Sequence, residues 1–511
     1  MKDSTVLEWL LTHELFSTKA RPSSSARLAK RPINQTLFEL LRSAILAGNL
    51  RAGLKLPSSR ELMQQLGISR NTVLYVFNRL VDEGYATTEV GRGTFISDTV
   101  PDPSVLSKVP DLTQHSGDQG KTSQRSSISR RAELLMSRPG ASEIQVGAFV
   151  PGIPDVSHFP YKVWNRLLAK QWKSETSERL GYGSSRGYLP LKRALAEYLR
   201  LARGVRCDDS QILITHGSHQ ALDLCARLLA DVGDQAWIED PCYWGARSVF
   251  LGAGLGLRAI PVDEDGICPP TDGLTAPKLI FVTPSHQYPS GAVMSLTRRR
   301  LLLEIARRNG AWIIEDDYDS EFRYHGLPLP SLQGLDEHQR TIYVGSFSKV
   351  MYPGIRLGFL VVPPSLVGVF ATLHSELYRG GSLTLQAALA EFIFDGNYAA
   401  HVRRMRKVYG ERQALLTGEL KRQLGQEASV MGTEAGLHLT LTLRNARDVA
   451  VSEASLKRGI VARPLSAYYD KPASAPSGLV LGYGGVADEA IAESVEKLAA
   501  GLADTLSARN A

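Results

Sequence analysis

The sequence predicts an α/β protein in two parts: a small winged helix-turn-helix head, then a large domain on a mostly parallel sheet with a smaller C-terminal α/β subdomain. Three observations predict it. A chain of 511 residues is too long for one ordinary core, so two or three domains are expected. Residues 33–96 read as capped helices separated by glycine stops and closed by a hairpin. From about Val146 onward, strand-like and helix-like segments alternate, which is the pattern of a mostly parallel sheet.

Composition narrows the class. The chain is 43% hydrophobic and 22% charged, which suits a soluble folded protein rather than a disordered one. A net charge of +7 mildly favours a polyanionic partner. Cys207, Cys225, Cys242 and Cys268 show no CxxC and no metal-ligand spacing, so they read as a reduced cytoplasmic set and no metal is expected. No apolar run of about 18 residues is present, so no membrane span is expected. The N-terminal stretch mixes Asp3, Glu8 and Glu14 into an apolar pattern without a cleavage signal; it reads as a short amphipathic helix and not as a secretion peptide.

The head is predicted over 30–98. Leu37, Leu40, Leu41, Ala44 and Ile45 share one helical face, and Gly48 stops that helix. Ser58 and Glu61 have the spacing of a capping box, and the helix they open ends at Gly67. Ser69 caps the next helix, whose buried face carries Val73, Phe77, Leu80 and Val81. Tyr85–Val90, Gly91-Arg92-Gly93 and Thr94–Ile96 read as a hairpin with a basic tip. In such a head the second capped helix enters the major groove N-terminus first, which puts Ser69, Arg70, Asn71 and Thr72 nearest the bases. Arg70 can fork onto guanine and Asn71 can read adenine, or either can hold a phosphate; Arg92 suits the minor groove or the backbone. The stretches LPSSRELMQQLGISRNTV (56–73) and GRGTFIS (91–97) resemble the GntR-type DNA-binding domain over its whole length. That resemblance implies Arg60, Arg70, Thr72 and Gly93 as DNA contacts.

Residues 99–140 are rich in Ser, Pro, Asp, Gln and Gly and read as a flexible linker, with Arg130 and Arg131 as solvated charge or as a brush against DNA. The large domain is predicted over 141–511. Its focus is Ser346-Phe347-Ser348-Lys349, set between the strand-like runs Thr341–Val344 and Phe359–Val362. Burial against apolar strands disfavours an ammonium, which readies Lys349 to condense with a carbonyl. A phosphate beside it would be met by the two serine hydroxyls and by Arg356. Small residues at Gly217-Ser218-His219, between a strand and a helix, form a second anion-binding turn. The strand Trp312–Ile314 delivers Glu315, Asp316, Asp317 and Tyr318 at its C-terminal end, where α/β folds place ligands.

These segments resemble the fold-type I aminotransferases, and the resemblance implies pyridoxal phosphate held as an aldimine on Lys349. It implies Ser346, Ser348 and Arg356 on the phosphate with Gly217, Ser218 and His219, the last through its backbone. Tyr243 stacks on the ring, Asp316 (or the adjacent Asp317) faces the pyridine nitrogen, and Tyr318 holds the phenolic oxygen. Tyr182 reaches the cofactor of the neighbouring subunit, unless it is a core tyrosine. Two positions depart from the pattern. Tyr288 stands where the family has asparagine, which leaves His286 or Gln287 to replace it; Val480 stands where the family has its carboxylate-binding arginine, with Arg463 as a possible substitute. Without that guanidinium a carboxylate there lacks a matched partner.

Taken together, residues 30–500 resemble the MocR/GabR-type bacterial regulators. The resemblance implies a cytoplasmic, domain-swapped homodimer that binds a double-stranded DNA operator. Its large domain would sense an amine, an amino acid-like compound or pyridoxal phosphate itself. The alternative is a working aminotransferase that carries a DNA-binding arm, against which Val480 weighs.

Overall fold

The computed structural model describes residues 32–98, 128–137, 144–174, 176–181, 183–184, 186–270, 276–324 and 330–510. The chain divides into two compact units, Met1–Ser126 and Ser127–Ala511. The predicted N-terminal amphipathic helix lies outside the described residues.

In the first unit, α1 (Ile33–Leu46), α2 (Ser59–Leu66) and α3 (Arg70–Asp82) enclose a core that includes Leu37, Phe38, Leu41, Leu62, Val73, Val76 and Leu80. The side chain of Ser58 accepts from the Glu61 N–H at 3.2 Å, and that of Ser69 from the Thr72 N–H at 3.1 Å. Each replaces a partner that a helix start lacks. Gly67 ends α2 with φ 64°, a left-handed turn that glycine enters without a Cβ clash, and this makes the tight corner into α3. The strands β1 (Ala86–Glu89) and β2 (Gly93–Ile96) pair antiparallel as the wing. The Leu56 N–H adds to it by donating to Thr94 O at 2.8 Å.

Arg60, Ser69, Arg70, Asn71 and Arg92 are exposed, as a DNA-reading face requires, while Thr72 and Gly93 are half-buried. The hydroxyls of Ser69 and Thr72 lie 2.9 Å apart, so both serve the cap of α3. Arg92 pairs with Glu89 on the wing. Gly93 has φ +117°, and a Cβ there would sit 2.9 Å from Lys55 Cε, so this position is set by packing within the wing.

The expected linker is partly folded. The helix α4 (Arg130–Ser137) lies along the helix Trp244–Ala253, with Leu135 beside Gly252 and the Arg131 guanidinium 3.5 Å from Gly252 O. Apolar contact by Leu135 offsets ordering that the polar composition alone disfavoured. The connector expected up to residue 140 is therefore corrected over 130–137; residues 99–127 and 138–143 lie outside the described residues.

The large sheet contains β3 (Ile212–Thr215), β4 (Gln235–Asp240), β5 (Gly256–Asp263), β6 (Gly266–Ile267), β7 (Leu279–Val282), β8 (Trp312–Asp317), β9 (Thr341–Ser346) and β10 (Gly358–Val361). Their order is β3-β10-β9-β8-β7-β4-β5-β6. The central run β9, β8, β7, β4, β5 is parallel, whereas β10 is antiparallel to both of its neighbours. All four residues of β7 are buried, as a parallel strand covered on both faces demands. The parallel strands end on one edge, and their C-terminal ends point the acids and the lysine loop to the same place.

A second sheet contains β11 (Ala428–Met431), β12 (His438–Leu443), β13 (Arg463–Pro464) and β14 (Gly478–Gly482), all antiparallel in the order β11-β12-β14-β13. Ala148 and Phe149 bridge to Ile460 and Gly482, so the chain just before the large sheet joins the small one. Replacing Ser69 by alanine is expected to destabilise the head by about 1 kcal/mol, read as a lower midpoint for its transition in denaturant; an unchanged midpoint would show that the cap is not limiting.

Candidate functional site

A cavity of about 400 Å³ lies where the parallel strands end and the small sheet begins. Lys349, Asp316, Tyr318, Ser346, Ser348, Arg356, Tyr243, Gly217, Ser218 and His219 all line it. Tyr182 lies outside the described residues.

The Lys349 side chain turns inward and donates from Nζ to Gly152 O at 2.8 Å. Burial lowers its pKa, against the pull of Asp319 and Asp316, so the neutral amine is easier to reach. Gly152 comes from the stretch that joins the small sheet. It has φ +74°, and a Cβ on it would sit 2.7 Å from Nζ, so only glycine allows this approach.

Alternation along β8 separates its two aspartates. Asp316 faces the cavity. Asp317 faces away and accepts from Arg203 Nε at 2.7 Å and from the Tyr343 hydroxyl at 2.5 Å. Of the two acids, Asp316 is the one that lines the cavity. Its Oδ1 is buried and has no hydrogen-bond partner among the described residues. Burial first, then Asp317 and Asp319, raise its pKa to about 7. A lone buried carboxylate oxygen at this wall suits a protonated pyridine nitrogen.

The anion-binding end is equally well matched. Gly217, with φ 78°, precedes α5 (Ser218–Leu229), whose first residues, Ser218 and His219, line the cavity. Arg356 stands next to Gly217: its Cζ lies 4.0 Å from where a Cβ on that residue would be. Among the described residues Arg356 has no ion-pair partner, which leaves its fork for a phosphate. The Ser346 hydroxyl accepts from the Ser348 N–H at 3.2 Å and shapes the loop that carries Lys349.

His219 departs from a purely backbone role. Its ring Nε2 lies 2.8 Å from the Tyr243 hydroxyl and fixes that ring at the head of α6 (Trp244–Ala253). Of the two substitutes for the missing asparagine, Gln287 is spent on the turn, donating to the carbonyls of Pro241 and Tyr288 at 2.8 Å each. His286 reaches the site through Tyr318, whose hydroxyl donates to His286 O at 2.9 Å and lies 3.0 Å from Nδ1. Asp319 Oδ2 meets the same Nδ1 at 3.1 Å, while Nε2 of that imidazole is buried with no hydrogen-bond partner among the described residues. Val480 is fully buried beside Leu465 and Tyr468, an apolar place with no use for a carboxylate.

Sequence reasoning missed Gly152, Asp319 and His438, all on the cavity wall. Asp319 follows Tyr318 directly, at the end of the acidic run, and could have been found there. Gly152 and His438 carry no local signal, because the small sheet brings them in. The residues fit pyridoxal phosphate: an inward amine, an orphaned buried carboxylate oxygen, and a guanidinium beside a helix start.

Gly152→Ala is expected to displace the Lys349 amine and abolish the visible absorbance that pyridoxal phosphate gives the native protein; a retained band would refute the close contact. A raised carboxyl pKa means that the folded state holds a proton the unfolded chain releases. In cofactor-free protein, stability therefore falls as pH rises from the ordinary value of 3.8 towards about 7, and Asp316→Asn is expected to flatten that fall. Thermal midpoints between pH 5 and 8 measure it. Glu239, Glu315 and Glu321, also raised to about 7 by burial, keep part of the slope in the variant.

The family comparisons agree with this geometry. Residues 33–96 match the bacterial regulatory proteins of the gntR family, and residues 154–479 match aminotransferase class I and II. The chain is 39% identical over 469 residues to the probable rhizopine catabolism regulatory protein MocR of Rhizobium meliloti, covering 91% of this chain and 93% of the relative. It is 31% identical to the pyridoxine biosynthesis transcriptional regulator PdxR of Corynebacterium glutamicum, covering 88% and 91%. Among solved structures, the α-aminoadipate aminotransferase LysN of Thermus thermophilus, complexed with N-(5'-phosphopyridoxyl)-L-leucine, superimposes with a TM-score of 0.67 at 26% identity, covering 76% of this chain and all of that one. The chain belongs to the MocR/GabR-type transcriptional regulators, in which a GntR-family winged helix-turn-helix domain is joined to a pyridoxal phosphate-dependent aminotransferase class I and II domain.

Proposed function

We propose that this regulator senses a small effector in the cavity around Lys349 and converts its binding into a change in operator affinity. The observation that carries the reading is the meeting of Lys349, Asp316 and Arg356 in one cavity of a chain that also carries a capped recognition helix. When bound, pyridoxal phosphate supplies an aldehyde that condenses with primary amines. The protein's own groups do the rest. Lys349 is held inward by Gly152 O, Asp316 offers a buried carboxylate to the ring nitrogen, Tyr243 walls the ring, and Arg356 with the start of α5 takes the phosphate. The effector is an amine, an amino acid-like compound or the cofactor itself. It acts only to the extent that it binds the DNA-competent and DNA-incompetent arrangements with different affinity.

The domains are assigned as 30–98 for DNA, 99–140 as the connector with its folded end, and 141–511 for the effector. A domain-swapped homodimer, paired through the large domain, presents two heads to a repeated operator in the cytoplasm. The exposed Trp172 and Phe394, on packed helices of the large domain, favour a partner over that face. Productive transamination of α-amino acids is disfavoured by the apolar surroundings of Val480.

Band-shift assays on the DNA upstream of the gene, with and without pyridoxal phosphate and candidate amines, test the reading. Operator affinity that ignores every such addition sinks it. Lys349→Ala is expected to lose the visible band and the effector response together. Arg70→Ala is expected to weaken operator binding by about 1–3 kcal/mol and to relax its sequence preference. Arg92→Ala should weaken all duplexes alike and reduce the salt slope by about one.

A further inference from the structure

The recognition helix α3 divides its residues between two faces. Val73, Val76, Phe77 and Leu80 are buried in the core of the head. Asn71, Leu74, Tyr75 and Asn78 are exposed on the other face, with Arg70 at the helix start. Leu74 is out of character there. It lies four residues after Arg70, three after Asn71 and four before Asn78, so these polar side chains surround it on one face. It is a large apolar side chain that takes no part in the apolar core of the head. Tyr75, the neighbouring exposed aromatic, differs in having a hydroxyl, which it brings to Arg79 one turn further on. Leu74 has no polar atom to offer to water or to a phosphate.

The major groove presents hydrogen-bond donors and acceptors and one apolar group, the C5 methyl of thymine. A leucine ringed by an arginine and two asparagines matches that combination. The polar neighbours serve base edges and phosphates, and the leucine gains only where it covers a methyl. Resting on operator binding by the head, we infer that Leu74 is a specificity-determining residue that packs on a thymine methyl in the major groove. The thymine stands at a fixed step from the base that Arg70 reads, because both side chains start from one helix whose first turn is held by the Ser69 cap. An A·T pair also carries the adenine groups that suit an asparagine amide, so Asn71 and Leu74 together favour A·T at this step. Uracil keeps every hydrogen-bonding group of thymine and lacks only the methyl, so the contact can be deleted from the DNA with the protein left intact.

The test uses the full-length protein and a duplex that it selects from a random-sequence pool. That duplex is made once with thymine and once with deoxyuridine at every thymine. The native protein is expected to bind the thymine duplex about fourfold tighter for each head engaged. Leu74→Ala should bring the ratio to about one by weakening the thymine duplex and sparing the uracil duplex, and Leu74→Met should keep most of it. Equal binding of the uracil duplex by the native chain and Leu74→Ala also shows that the variant head is folded. Equal affinity of the native protein for the two duplexes overturns the proposal. A ratio that survives in Leu74→Ala overturns it too, by assigning the effect to DNA shape or to another side chain. Thymines are then replaced one at a time. Loss confined to one step of each half-site supports the contact, and loss spread evenly over the site overturns it. A protein that selects no duplex defeats operator binding by the head, and the methyl contact falls with it.

Discussion

The site depends on one constraint: a lysine amine turned away from water and held against a backbone carbonyl. Lys349 meets Gly152 O at 2.8 Å, with Asp316 and Asp319 close enough to oppose the loss of its proton. Three parts of the fold must agree for this contact. The loop after β9 supplies the lysine, β8 supplies the acid, and a strand of residues tied to the small sheet supplies the carbonyl. The glycine has no alternative, since any side chain there would occupy the space of the amine.

Buried carboxylates around the lysine are the cost of that arrangement, and the surroundings partition it. Asp317 is compensated in full by Arg203 and Tyr343, and Arg203 also donates to the Ser285 hydroxyl at 2.7 Å. Removing either partner of such a pair would strand a buried charge. Because Asp317 is satisfied on the far side of β8, the strand is locked with Asp316 towards the cavity. Asp316 keeps an unmet oxygen, and burial with the nearby Asp317 and Asp319 raises its pKa.

A sensor differs from an enzyme in what it does with binding energy. An enzyme spends it on the transition state, whereas a regulator needs it divided unequally between two arrangements of its own chain. The walls of this cavity come from both sheets. The helix α6 begins at the cavity with Trp244 and carries α4 along its far end, which gives the connector a physical seat on an element that feels the site.

Much of this was legible in the chain. The capping serines at positions 58 and 69, the glycine corner at 67 and the wing tip are local features, so the head could be read almost residue by residue. The lysine loop, the acidic strand end and the glycine before α5 were legible for the same reason, because backbone hydrogen bonding and strand alternation act over a few neighbours. Tertiary structure alone decided the rest. It chose Asp316 over Asp317 by giving the latter an arginine from 114 residues away. It turned Gln287 into a brace for the turn, folded the end of the linker onto α6, and brought Gly152, His438 and Arg463 to one wall. Those outcomes depend on contacts between segments far apart in the chain, and no periodicity or spacing in the sequence encodes which distant surfaces will meet.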